Sequence, residues 1–147
     1  MGADTWTSLF RLAVGGFWLY FASQKWTGVG WVRPLIEQMA HVNPIPGLKE
    51  LLAAVVAPNW MLFAVLQTAG ETTAAVLLIL GLFTRAGALL GLLLAIGLSL
   101  TVAFATPDVG SRWLYYLAVL VNAQVLIAGP GPLALDSLLR GRRWGRR

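Results

Sequence analysis

The sequence predicts an all-α integral membrane protein: a four-transmembrane-helix bundle with a long helical, proline-containing loop between helices 1 and 2. Three observations carry that expectation. The 147 residues are 58% hydrophobic and only 12% charged, with a mean hydropathy of +0.73, a balance found in membrane proteins rather than in soluble domains of this length. Apolar runs of membrane length recur at about residues 6–23, 60–83, 86–105 and 113–129. Four of the seven prolines (Pro34, Pro44, Pro46 and Pro58) fall between the first two runs. A single integral membrane domain over residues 1–147 is expected, with a basic cytoplasmic tail at 137–147.

The first span, Trp6 to Ser23, reads as an uncleaved helix. No basic residue precedes it, Asp4 is acidic, and no small-x-small cleavage site follows. Arg11 lies about a turn and a half inside and is expected to snorkel in part. Helical pitch puts Arg11, Gly15, Trp18, Ala22 and Lys25 along one face, the face expected to look inward, with Lys25 at the far membrane surface. The connection from Gln24 to Pro58 holds two short helical pieces, PLIEQMAHV and GLKELLAAVVA. Both are too short to span, so they are expected to lie at the interface or to fold back over the mouth of the bundle. Trp26, Trp31 and Trp60 fit an aromatic belt on that side.

The second span carries the most demanding residue. Glu71 falls near the bilayer midplane with Gln67 one turn above it on the same face. An ionised carboxylate at that depth stands about 2.5–3.5 kcal/mol uphill on insertion scales, so Glu71 must face a protein interior or a wet cavity. It is the candidate proton donor and acceptor. The third span carries Gly87, Gly91, Ala95, Ser99 and Ala103 at four-residue spacing, a small-residue ridge for close helix approach, and the hydroxyls of Ser99 and Thr101 are expected to bond to their own backbone. The fourth span runs from Trp113 to about Gly129, stopped by Pro130-Gly131-Pro132. Asn122 falls at about the depth of Glu71. Gln124 faces another way, which implies either a backbone bond or a second buried surface such as a subunit contact.

Four spans return the chain to the side it started from. Arg85 and the five arginines of the last eight positions mark one side, against Lys25, Arg33, Lys49 and Arg112 on the other, so both termini are expected in the cytoplasm and the protein in the cell inner membrane. The net charge of +5 sits largely in that tail (Arg140, Arg142, Arg143, Arg146, Arg147), which fits anionic headgroups and gives no recognition surface for nucleic acid. With no cysteine and one histidine, His41, no haem, iron–sulfur or metal site is expected, and redox chemistry would need an organic cofactor or a partner.

The stretches RLAVGGFWLYFASQKW and GETTAAVLLILGLFTRAGALLG, separated by a loop with prolines, resemble the DoxX/DoxD family of small four-helix membrane proteins. The likeness covers Arg11 to about Gly91, and the fourth helix agrees only in hydropathy. It implies association with a thiosulfate:quinone oxidoreductase or a related redox complex of the respiratory chain, and it places the recurrent polar positions on Arg11, Lys25, Glu71 and Arg85. Lys25 and Arg85 are then candidate substrate contacts. From the residues themselves, Arg11 and Glu71 form either a register-fixing buried pair or, with Gln67 and Asn122, a polar pocket suited to a quinone headgroup. Proton or solute passage is the third option. A count of depth leaves Arg11 nearer the cytoplasmic surface, so Glu71 is expected to be protonated and to donate to Gln67, Asn122 or a ligand carbonyl. The alternative to a quinone-linked enzyme subunit is a non-catalytic accessory subunit. The partners expected are the lipid bilayer and other membrane subunits or further copies of the chain.

Overall fold

The computed structural model describes residues 3–137. Among these the secondary structure is helical: α1 (Ala3–Trp26), α2 (Val32–Val42), α3 (Leu48–Leu51) running into a π-helical turn (Leu52–Val56), α4 (Trp60–Leu80), α5 (Thr84–Leu100), α6 (Val102–Ala105) and α7 (Val109–Ala128). Three stretches, Trp60–Leu80, Thr84–Ala105 and Val109–Ala128, are long and apolar enough to cross a membrane, with mean hydropathies of 1.6, 2.4 and 1.2. Helix α1 matches them in length with 24 residues, but its charged, hydroxyl and indole side chains leave it less apolar. The expected basic tail falls outside the described residues.

Helix ends depart from the expected spans for local reasons. Helix α4 stops at Leu80 because Gly81 (φ 65°) and Phe83 (φ 47°) adopt left-handed backbone, reversing the chain in three residues. Helices α5 and α7 start earlier than expected because acids serve their first turns. The Asp136 carboxylate accepts from the backbone N–H of Phe83 (2.9 Å) and Thr84 (2.8 Å), and Asp108 accepts from that of Ser111 (2.6 Å). The bonds from Ser111 hold the exposed Asp108 carboxyl below its ordinary range.

The long helices form a ring in the order α1, α4, α5, α7, in which α1 and α7 close the circle by a lighter contact. Neighbours run antiparallel, since Lys25 and Arg11 on α1 meet Glu71 and Leu78 on α4, while Trp18 and Arg11 meet Asn122 and Pro130. The predicted inward face of α1 is inward: Arg11, Gly15, Trp18, Ala22 and Lys25 are all buried. The same holds for Gly87, Gly91, Ala95, Ser99 and Ala103, and the Ser99 and Thr101 hydroxyls bond to their own backbone. Large apolar residues such as Leu62, Leu66, Leu93 and Leu120 point outward, as a lipid-facing surface requires.

Helix α1 ends beside the middle of α4, where the Trp26 indole donates to the Thr72 hydroxyl (3.2 Å). The upper half of α4 is therefore covered by the connecting helices. Val32, Ile36, Met39 and Leu52 pack with Ala64 of α4 and with Val102 and Ala105 of α6 in a second apolar cluster. Two amides fasten it, Asn43 to the Leu100 carbonyl (2.8 Å) and Gln38 to that of Ala105 (3.1 Å), so helix-end carbonyls find donors away from water.

Gly91 decides how closely α5 meets its neighbours. A Cβ there would run into the Asn122 amide and approach the Trp18 indole nitrogen to 2.7 Å, whereas at Gly97 it would meet nothing within 4 Å. Gly91→Ala is expected to destabilise by about 1–3 kcal/mol through overpacking, and Gly97→Ala to leave stability unchanged or slightly higher. Thermal unfolding in detergent checks the pair, and equal effects would show that the close approach is not limiting.

Candidate functional site

The inward faces of α1 and α4 bring together three polar side chains where α1 ends. Glu71 is wholly buried, and its Oε2 accepts from Lys25 Nζ at 2.6 Å while its Oε1 accepts from Gln67 Nε2 at 3.0 Å. Gln67 and Glu71 share a face because they stand one helical turn apart. Lys25 reaches them because α1 terminates at that level and its four-carbon stem lies along the helix, and Nζ also donates to the Phe21 carbonyl at 3.3 Å. Two features differ from the expected picture: Lys25 is buried against α4, only 7% exposed, and it is Lys25 rather than Arg11 or Asn122 that meets the Glu71 carboxylate.

Arg11 does not meet Glu71. It is fully buried, and its guanidinium donates to the carbonyls of Leu78, Ile79 (3.0 Å), Pro130 (3.0 Å) and Leu133 (2.7 Å) at the end of the bundle. Leu78 lies seven residues beyond Glu71, about 10 Å along the helix axis. Asn122 is likewise apart, its Oδ1 accepting from the Trp18 indole (3.0 Å) and its Nδ2 donating to the Ala118 carbonyl (2.7 Å). Arg85 is exposed at the start of α5, away from the cluster, and Gln124 is exposed on α7. Of the residues singled out from sequence, the structure thus unites Lys25, Glu71 and Gln67 and separates Arg11, Asn122 and Arg85.

Two clefts flank the cluster. A groove of about 650 Å³ is lined by Lys25, Trp26, Val29, Val65, Thr68, Thr72 and neighbouring apolar residues of α4. A crevice of about 460 Å³ runs between the connecting helices and α4–α5, with Gln67 and Thr101 among apolar residues including Met39, Leu52, Phe63 and Leu94. Lys25 thus opens on one cleft and Gln67 on the other, with Glu71 between them. Sequence reasoning did not single out Trp26 or Thr72 as site residues. The available signal was the position of Trp26 next to Lys25, which obliges it to follow wherever α1 ends.

The donor set suits a carbonyl-bearing ring. The Lys25 ammonium has three N–H bonds, two of them engaged by Glu71 and Phe21 among the described residues, and Lys25 lines the groove. Trp26 offers a flat apolar face, and the rest of the lining is chiefly aliphatic. Residues 7–109 match the family model described as DoxX, from α1 to the start of α7. No curated protein and no solved structure matches the chain.

Because the Lys25–Glu71 pair is buried, removing one partner strands a charge. Lys25→Met and Glu71→Leu are each expected to cost about 3–5 kcal/mol, and the double variant to recover most of that loss. Unfolding of the four proteins in one detergent measures the coupling, and simply additive losses would show that the pair does not act as a unit.

Proposed function

Because this chain belongs to the DoxX family of membrane proteins, and the buried Lys25–Glu71 ion pair opens on an apolar groove, we propose that it is the membrane subunit of a quinone-linked oxidoreductase. The observation that carries this reading is the Lys25–Glu71 contact at the edge of the 650 Å³ groove. A bound quinone would supply carbonyl oxygens that take up two electrons and two protons. Lys25 would hold such an oxygen with an N–H, and Trp26 with Val29 and Val65 would enclose the ring. A proton passed from Nζ into the groove leaves a neutral amine beside the Glu71 carboxylate. That buried net negative charge then draws a proton from water onto the pair, through the Glu71 carboxylate to Nζ, and a second such cycle supplies the second proton.

Arg11 and Asn122 are outside the proposed site, since their hydrogen bonds go to the protein itself. Gln67 belongs to it as the residue that orients Glu71. The electron donor is proposed from the family resemblance to be thiosulfate or a related sulfur compound, delivered through a partner, with Lys25 and Arg85 as the motif positions concerned. Ala3 of α1 and Ser137 lie at the same end of the bundle as Arg85, which supports a four-span topology with both ends cytoplasmic. A second reading, a non-catalytic accessory subunit, draws on the way Arg11 and Asn122 are saturated by backbone and indole groups.

The readings part on two variants. In nanodiscs, Lys25→Met is expected to weaken binding of a short-chain quinone about tenfold or more, the worth of a charged hydrogen bond, and Glu71→Gln to lower thiosulfate-dependent quinone reduction by the assembled complex by a similar factor. Unchanged binding and unchanged turnover per assembled complex would sink the catalytic reading and leave the accessory one.

A further inference from the structure

Helix α1 stops at Trp26, and the chain runs without helix through Thr27, Gly28, Val29, Gly30 and Trp31 before α2 begins. All of these but Val29 are exposed. Irregular backbone with open N–H and C=O groups is not tolerated against hydrocarbon, so this segment marks a level at which the protein meets water or headgroups. The exposed indoles of Trp26 and Trp31 belong at such a boundary. The Lys25–Glu71 pair lies directly beneath it, since Lys25 precedes the segment and Trp26 bonds to Thr72, the neighbour of Glu71. The groove begins there, between Trp26 and Val29 on one wall and Val65, Thr68 and Thr72 on the other. Its ammonium and hydroxyls offer water polar partners in a space of about 650 Å³.

Toward the opposite end the seam between α1 and α4 is shut. A Cβ on Gly15 would come within 3.0 Å of the Ile79 backbone nitrogen and 3.2 Å of the Leu78 Cβ. Trp18, Ala22, Ala74, Ala75, Leu78 and Ala88 are each 0% exposed. The Trp18 indole and the Asn122 amide at that level bond to each other, and neither group takes up or loses a proton near neutral pH. Arg11, further along, stays protonated. Among the described residues neither cleft is lined by a charged side chain besides Lys25, and Arg33 and Glu37 of α2 pair with each other at the surface (2.8 Å).

We propose that water reaches the Lys25–Glu71 pair through the opening where α1 ends, from the side of the connecting helices alone. A proton that the pair takes up or gives back is then exchanged with that side, and the Arg11 end of the bundle is insulated from it. The access does not depend on what binds in the groove. Its meaning for quinone chemistry rests on the proposed function: both protons of a reduced quinone come from the connecting-helix side, whichever side delivers the two electrons.

The chain has no cysteine, so single-cysteine variants carry one thiol each, and a thiol reacts as its thiolate, a form that water supports and hydrocarbon suppresses. With a charged, membrane-impermeant methanethiosulfonate on vesicles of known sidedness, Thr27→Cys identifies the connecting-helix face. Thr68→Cys and Thr72→Cys are expected to be labelled from that face about tenfold faster or more than from the other, and by a similar margin over Leu93→Cys, an exposed position on α5 that faces lipid. Two groove positions keep the test decisive where one variant fails to insert. Labelling of both as slow as that of Leu93→Cys would show that lipid fills the groove, and equal labelling from the two faces would show a second route; either result overturns the proposal. A short-chain quinone should slow the labelling of Thr72→Cys severalfold. Labelling from the connecting-helix face that quinone leaves unchanged would support the one-sided access and count against the quinone reading alone.

Discussion

Four backbone carbonyls that no helix can satisfy converge on one guanidinium, and the closed end of the bundle exists because of it. The last carbonyls of α4 have no intrahelical partner, and the segment after α7 is irregular and bent, so Leu78, Ile79, Pro130 and Leu133 need a donor from elsewhere. Arg11 answers all four with a rigid fork that stays charged at any relevant pH. Its own charge is met by the nearby Asp136 carboxylate and by the negative pole of the α4 dipole. Exchange of Arg11 for lysine would keep the charge and lose the fork.

The polar residues of α1 stand seven apart, and each heads a separate layer. Arg11 gathers helix ends, Trp18 holds Asn122 over Gly91, and Lys25 meets Glu71 and Gln67. A spacing of seven keeps them on one face and sets the layers about 10 Å apart, so each network closes on its own. The two lower layers are spent on architecture. The upper one adjoins the clefts, and it is there that chemistry has room.

Much of this was legible in the sequence. The inward face of α1, the small-residue ridge of α5 and the pairing of Gln67 with Glu71 follow from periodicity, which depends only on helix geometry. The partner of Glu71 did not follow. Counting depth from Trp60 and from the start of the first helix treats the helices as level, yet α1 ends beside Thr72, so Lys25 and not Arg11 arrives at the carboxylate. That offset is set by where the connecting helices pack, through Val32, Ile36 and Met39 against Ala64, a contact between segments with no local signature. The Asp136 cap was missed for a similar reason: Phe83 and Thr84 lack a capping residue nearby, and the acid that serves them is more than fifty residues away.

The lower knot also sets an order of events during synthesis. Pro130 and Leu133 emerge 119 and 122 residues after Arg11, and Asp136 more than fifty after the turn it caps. While α1, α4 and α5 enter the bilayer, Arg11 can draw only on the end of α4, and the first amides of α5 face the interface uncapped. The bundle is therefore closed late: the contacts that join the lower ends of α1, α4 and α5 to the segment beyond α7 form only after that segment has been made.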